Sequence, residues 1–177
     1  GIAGIIHGGT AGMHLAFYTR YSADGSQLAS SNERLRITSS GLTLIGTTSD
    51  LFSESFKLQV ADTGPYGSLY LSRFQNNSSS SYLRFGKSRS STIGSHTIVA
   101  SNDILGAIDF MGSGGSAMHL GARITGQVDG TPGNNDMPGR LEFRTTPDGT
   151  TSSLVRMTIK NNGRVGINDT NLSLIHI

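Results

Sequence analysis

An internal repeat of strand and turn signals constrains the fold of this chain more than any other feature. Residues 34–41 read Arg-Leu-Arg-Ile-Thr-Ser-Ser-Gly and residues 156–163 read Arg-Met-Thr-Ile-Lys-Asn-Asn-Gly, and an Ile follows four residues after each final Gly. A Leu-x-Phe-x-Thr stretch precedes each copy, at 15–19 and 141–145. Because the order is the same and only the loop lengths differ, we expect two similar strand-turn-strand units.

Apolar and polar residues alternate with a period of two throughout the chain, which is typical of strands with one apolar and one polar face. The clearest runs are 35–37, 56–60, 83–85, 108–110, 118–124 and 141–143. Turn dipeptides separate such runs: Asp24-Gly25, Ser40-Gly41, Asp129-Gly130, Asp148-Gly149 and Asn162-Gly163. Glycine is abundant, with 24 residues in 177, and no stretch has helical periodicity. The sequence therefore predicts an all-β chain of short antiparallel strands.

The repeat also predicts a domain organisation. Residues 1–62 are interpreted as the C-terminal part of a first β repeat with its linker, and residues 63–171 as a second repeat. Residues 172–177, Leu-Ser-Leu-Ile-His-Ile, break the Gly/Asn-rich texture and resemble the translated end of a transposon used in preparing sequencing libraries. We interpret them as an artefact of sequencing, with a genuine apolar strand as the alternative. The start of the chain has neither Met nor a charged leader and is interpreted as lying in mid-protein.

Charge, cysteine content and hydropathy argue against several partners. The net charge is +2, and the basic residues are scattered singly, which disfavours a nucleic-acid partner. There is no cysteine, so neither a disulfide framework nor a thiolate metal site is possible. No apolar run approaches the roughly 18 residues of a membrane span, so no membrane partner is expected. Leu, Ile, Val and Phe suffice for folding but are few for a free-standing core, which favours completion by a partner chain.

Several of these segments, taken in order, resemble a repeated shaft module of bacteriophage tail fibres and related virion proteins. They are 105–112, 122–124, 139–145, 155–159 and 163–167. Residues 41–48 with 56–60 resemble the linker motif of the same proteins, whereas Asn168-Asp169 departs from the Gly-Thr usual there. The resemblance covers residues 1–171. It depends on the order and spacing of the motifs rather than on any single motif.

The resemblance implies an elongated, non-enzymatic structural protein that works as a parallel homotrimer with a β-prism-like shaft. Such fibres often end in an endosialidase-type intramolecular chaperone. They belong to the virion tail, are assembled in the host cytoplasm, contact other tail proteins and help to position or attach the virion at a host glycan or protein. As a hypothesis, the apolar faces of three copies would share a core that includes Leu35, Ile37, Leu141, Phe143, Met157 and Ile159. Position along the fibre and chain entanglement are left open.

An enzymatic function would need particular side chains in particular arrangements. A polysaccharide-cleaving tailspike would need paired carboxylates, and the candidates are Asp103, Asp109, Asp129, Asp136, Glu142 and Asp148. Their contexts favour turn-capping or solvated carboxylates instead. No Gly-x-Ser-x-Gly elbow or phosphate-binding loop is present. We predict no enzyme and no catalytic or cofactor-binding residues. A bacterial repeat adhesin and a monomeric sandwich lectin are further alternatives.

Histidines and one polar stretch are the remaining candidates for binding. His7, His14, His96 and His119 lack ligand spacing, and we predict no metal site. His14 and His119 each lie in a Met-His-Leu triplet and are expected to point outward. Residues 74–82, Phe-Gln-Asn-Asn-Ser-Ser-Ser-Ser-Tyr, could bind a surface glycan through rings and amides, but an ordinary loop between two strands is favoured. The receptor-binding residues remain unknown.

Overall fold

The computed structural model describes residues 5–7 (backbone only), 14–19, 32–52, 56–64 and 67–168. The chain divides into two compact units, Gly1–Ser81 and Tyr82–Ile177, each with one five-stranded sheet. Every regular element described is a strand, which confirms the predicted all-β class. In this described part there is no helix long and apolar enough to cross a membrane. The predicted boundary at residue 62 stays a prediction, and residues 172–177 lie outside the described range.

The sheet of the first unit contains five short strands. They are β1 (Ile5–His7), β2 (His14–Tyr18), β3 (Glu33–Ile37), β4 (Thr43–Ile45) and β5 (Leu58–Val60), and they lie side by side in chain order. All neighbours are antiparallel except β4 and β5, which are parallel. The alternating run 56–60 thus contributes only its last three residues to a strand.

The sheet of the second unit has longer strands and is antiparallel throughout. It consists of β6 (Ile104–Ser113), β7 (Met118–Val128), β8 (Gly139–Thr145), β9 (Leu154–Ile159) and β10 (Val165–Ile167). Neighbours in the sheet are again neighbours in sequence, from β6 at one edge to β10 at the other. Three of the four connections contain the predicted turn dipeptides Asp129-Gly130, Asp148-Gly149 and Asn162-Gly163, and the β6–β7 connection contains Gly114-Gly115.

The strand pair β2–β3 and the strand pair β8–β9 have the same register. Leu15 lies opposite Ile37 in the first unit, as Leu141 lies opposite Ile159 in the second. Each pair then has an irregularity at the same place, directly after Phe17 and after Phe143.

The arginine left unpaired at each irregularity makes the same contact in both units. Arg34 Nε donates to Thr19 Oγ1 at 3.0 Å, and Arg156 Nε donates to Thr145 Oγ1 at 3.0 Å. The Arg and Thr positions that recur in the sequence are therefore partners in space.

The turns that follow β3 and β9 are also alike. Gly41 and Gly163 have φ angles of 77° and 78°, and their amides donate to Thr38 O and Lys160 O at 2.9 Å. Only glycine adopts this left-handed conformation without steric cost, which is the physical reason for a Gly at both positions.

Each sheet has one buried face, which carries a network of polar groups, and one face of exposed apolar residues. The buried face is largely polar in the second unit and mixed polar and apolar in the first. In the second unit, Thr125, Gln127, Glu142 and Thr158 are buried, together with Val128. In the first unit, Ala16 and Leu44 are fully buried beside Gln59, Tyr18 and Glu33.

Residues 67–100 form no strand, although alternation predicted one at 83–85; that prediction is wrong for the single chain. A strand is defined by hydrogen bonds to a neighbouring strand. Within the described residues, nothing pairs with the backbone of Leu83, Arg84 or Phe85. Leu83 and Phe85, which were predicted to share the apolar face of that strand, are both more than half exposed.

Candidate functional surfaces

The carboxylate of Glu142 on β8 is the centre of the polar face in the second unit. It accepts hydrogen bonds from Gln127 Nε2, Arg140 Nε and Arg144 Nη1, each at 2.9 Å. The residue is only 7% exposed. Sequence reasoning placed Glu142 among solvated carboxylates, and this was wrong because the long arginine side chains lie over the sheet and exclude water from it.

The guanidinium of Arg140 is itself fully engaged. Its Nη2 donates to Gln127 Oε1 at 2.6 Å, and its Nη1 donates to Asn102 Oδ1 at 3.0 Å and to Val128 O at 3.2 Å. A buried polar group stabilises a fold only when its hydrogen bonds are satisfied. The hydrogen bonds of this network are therefore made within one chain.

The first unit has a smaller network of the same kind. Arg36 donates to both carboxylate oxygens of Glu33 at 2.7 Å, and the hydroxyl of Tyr18 donates to Glu33 Oε2 at 3.2 Å. The Arg36 hydrogen bond lowers the pKa of Glu33, whereas burial and the adjacent carboxylate raise the pKa of Tyr18. Charge-assisted, bidentate pairing of this kind holds Glu33 as an anion.

The opposite, apolar face of each sheet is open in the single chain. In the second unit the exposed fractions are 45% for Ile108, 55% for Phe110 and 43% for Leu141. In the first unit Leu15 and Ile37, which lie opposite each other on neighbouring strands, are both more than a third exposed. Contiguous apolar surface of this kind marks an interaction site.

A shallow cleft of ≈ 270 Å³ lies on the apolar face of the second unit, between Phe85 and the central strands. Ile108, Ile124 and Leu141 contribute to its lining. The ring of Phe85 packs directly over Gly106, where any Cβ would overlap it. A glycine at this point of β6 therefore permits the close approach of an aromatic side chain.

The other candidate carboxylates are dispersed, and three of them have cationic partners. Arg89 binds both oxygens of Asp103 at 2.7 and 2.8 Å, and this contact, with the Ala100 amide, lowers the pKa of Asp103. Arg123 binds both oxygens of Asp109 at 2.5 Å. The lowered pKa favours Asp103 as an anion, whereas a glycosidase acid has to be protonated.

Asp129 and the two turn carboxylates complete this group. Burial by itself raises the pKa of Asp129, but the Asn161 amide and the nearby Lys160 and Arg140 outweigh that effect and lower it. Asp136 and Asp148 are exposed and lie in turns, as their sequence contexts predict.

The structure brings His7 and His14 opposite each other on β1 and β2, a pairing that their sequence spacing did not reveal. His14 shares the face of Ala16 and Tyr18, which is the buried one, so the expected outward position was wrong for His14. His119 is exposed, as expected. Among the described residues no group of three His, Asp or Glu could hold a metal ion.

Residues 74–82 form an exposed loop, as the favoured interpretation had it. The amide of Asn77 donates to Gln75 O at 2.9 Å and the amide of Ser79 to Asn77 Oδ1 at 3.0 Å, which closes the turn. The ring of Phe74 is 92% exposed. Arg84 lies over the ring of Tyr82 at 4.4 Å from its centroid, a cation–π contact.

Comparison with known proteins finds a likeness in fold to an all-β carboxy-terminal domain of a phage tail fibre. No family model and no curated protein sequence matches the chain. The carboxy-terminal domain of the bacteriophage T5 L-shaped tail fibre is similar in structure, with a TM-score of 0.61 at 15% identity over 92% of this chain and 68% of that one. The same domain with its intramolecular chaperone has a TM-score of 0.66 at 13% identity, over 92% of this chain and 47% of that one.

Proposed function

We propose that this chain is a structural segment of a bacteriophage tail fibre, in which three copies bury their apolar sheet faces around a common axis. One observation carries the proposal: in both units the polar face is satisfied internally and the apolar face is left open. The similarity in fold to a phage tail fibre domain supports it.

The exposed apolar face of each sheet is the one that lacks a partner in the single chain. Burial of a fully exposed Leu, Ile or Phe side chain contributes about 1.5–3 kcal/mol, and side chains that are about half exposed contribute about half of that, so a row of them per chain still favours association. Closed symmetry lets three identical faces cover one another without leaving an apolar edge. Of the six side chains predicted for the shared core, Ile37 and Leu141 are exposed in the single chain, and the other four are partly so.

The matched geometry of β2–β3–β4 and β8–β9–β10 supports the further proposal that the two are copies of one shaft module. Stacking such modules along an axis produces a stiff rod that holds a receptor-binding end away from the virion. The role proposed is mechanical and belongs to the virion tail. Other tail proteins and a host surface glycan or protein are the partners expected, and neither an enzymatic step nor a cofactor is proposed.

A pair of matched variants tests the proposal. Leu141→Glu places a charge on the apolar face, and Met137→Glu places one at a similarly exposed loop position of the same unit. We expect the unmodified chain and Met137→Glu to sediment as three-chain species and Leu141→Glu to sediment as one chain with unchanged strand content by circular dichroism. Three-chain assembly by Leu141→Glu would contradict the proposal, as would single-chain behaviour of the unmodified protein.

A further inference from the structure

We propose that residues 69–86 pair with a second copy of this chain, as strands added to the open edge of its β6, so that the copies exchange strands instead of only packing side by side. The inference rests on the proposed function and deepens it. It also decides between the two arrangements of three chains that the sequence left open.

The backbone of this segment has almost no partner in its own chain. Of the 18 amides from Leu69 to Gly86, all of them described, only those of Asn77 and Ser79 donate to a protein acceptor. Both belong to the turn in the middle of the segment. The stretches 69–74 and 82–86 on either side of that turn have none of the backbone ladder that an extended chain normally acquires on folding.

The side chains of the same two stretches are apolar and exposed. Leu69, Tyr70 and Phe74 are 69%, 83% and 92% exposed. After the turn, Leu83 and Phe85 are exposed by more than half and alternate with Arg84, the pattern of a strand with one buried face. The strand predicted at 83–85 would form once a neighbouring chain supplies its partner.

Burial of these side chains requires the backbone to be paired as well. An apolar surface laid on them would remove water from the adjacent amides and carbonyls, at about 1–3 kcal/mol for each group left without a hydrogen bond. Adding the segment to a sheet edge buries the side chains and pairs the backbone in one step. The second unit offers such an edge along β6, whose other side is paired with β7.

A second copy of this chain is the partner that fits segment 69–86 best, for three reasons. Within the described residues each chain offers one segment of this kind and one edge of β6, so the exchange closes when the copies are related by cyclic symmetry. Phe85 already lies over Gly106 on the apolar face, where the copies are proposed to meet. A host receptor would cover the segment only after attachment and would leave it exposed in the free fibre.

Hydrogen exchange of the assembled chain, followed by mass spectrometry, tests the inference, with sedimentation equilibrium on the same sample. We expect amides in 69–74 and 82–85 to exchange as slowly as those of β7, and amides in 75–81 to exchange fast. Leu83→Pro removes one amide donor and is expected to destroy the protection and weaken assembly. Ser80→Pro, at the end of the turn, is the matched control and is expected to change neither.

The outcomes separate this inference from the proposed function. A three-chain species whose 69–74 and 82–85 amides exchange at unprotected rates would overturn strand exchange and leave the tail-fibre proposal standing. A single-chain species would overturn both. Slow exchange in a single-chain species would also overturn the inference, because the pairing would then lie within one chain.

Discussion

Gly41 and Gly46 have nearly the same backbone conformation and very different surroundings. Their φ angles are 77° and 75°. A Cβ at Gly41 would meet only the end of the Lys57 side chain, whereas a Cβ at Gly46 would overlap the carbonyl oxygen of Ala61. That carbonyl follows β5, where the Ala61 amide donates to Ile45 O at 2.9 Å. Gly46 therefore permits both a left-handed residue and the close approach of two backbones.

The substitution Gly46→Ala tests this difference, with Gly41→Ala as its control. Gly41→Ala costs about 1–2 kcal/mol, because an L-residue is strained at this φ. Gly46→Ala adds the overlap with Ala61 and is expected to cost about 1–3 kcal/mol more. Denaturant unfolding of both variants measures the difference. Equal losses of unfolding free energy would contradict the close approach of β4 and β5.

Glu142 is the residue whose burial has the largest expected effect. Replacement by Ala leaves donors of Gln127, Arg140 and Arg144 without their acceptor, and breaking a buried pair costs about 3–5 kcal/mol. Asp148→Ala, in an exposed turn, is the control, with an expected change within about 0.5 kcal/mol. Thermal unfolding compares the two variants, and a Glu142→Ala protein as stable as the control would show that the network contributes little.

Sequence reasoning could not have found this network. Alternation correctly places Arg140, Glu142 and Arg144 on one face of a strand, but it does not say which face water reaches. That depends on arginine side chains long enough to lie across neighbouring strands and on acceptors 13 or more residues away, such as Gln127 Oε1. The sequence therefore predicts correctly that these three side chains share a face, but not that this face is buried.

At the scale of elements, the paired strands were the most predictable part. Local signals define both partners: the Leu-x-Phe stretch, the alternating strand after it and the turn glycine all lie within one unit. Leu15 opposite Ile37 and Leu141 opposite Ile159 follow from those signals. The parallel pairing of β4 with β5 has no such signal, since it depends on where a longer connection returns the chain.

The contact between Glu33 and Arg36 makes the stability of the first unit depend on pH. The pKa of Glu33 is lowered below its ordinary 4.5 in the folded state, mainly by Arg36. A lowered folded-state pKa contributes stability above the ordinary value and loses it as the pH falls through the folded-state value. We therefore expect the melting temperature to fall below pH 4.5 and Glu33→Gln to flatten that part of the profile. A profile unchanged by Glu33→Gln would show that Glu33 is not the group responsible.

At the scale of the whole molecule, the low content of large apolar residues is explained by where those residues lie. Most large apolar side chains of the two sheets lie on the open faces, and few fully buried ones are found in the described residues. The sequence predicted this shortage of core, and its completion by other copies stays a proposal. It could not predict which backbone groups would also be left for a neighbour, because alternation identifies a strand without identifying the chain it pairs with.

The mass of the unmodified chain in solution tests the central claim most directly. Sedimentation equilibrium at micromolar concentration is predicted to give three times the 18.6 kDa of one chain, without dissociation on moderate dilution. A stable species of 18.6 kDa that binds no hydrophobic dye would show that the apolar faces are covered within one chain, and it would contradict the account.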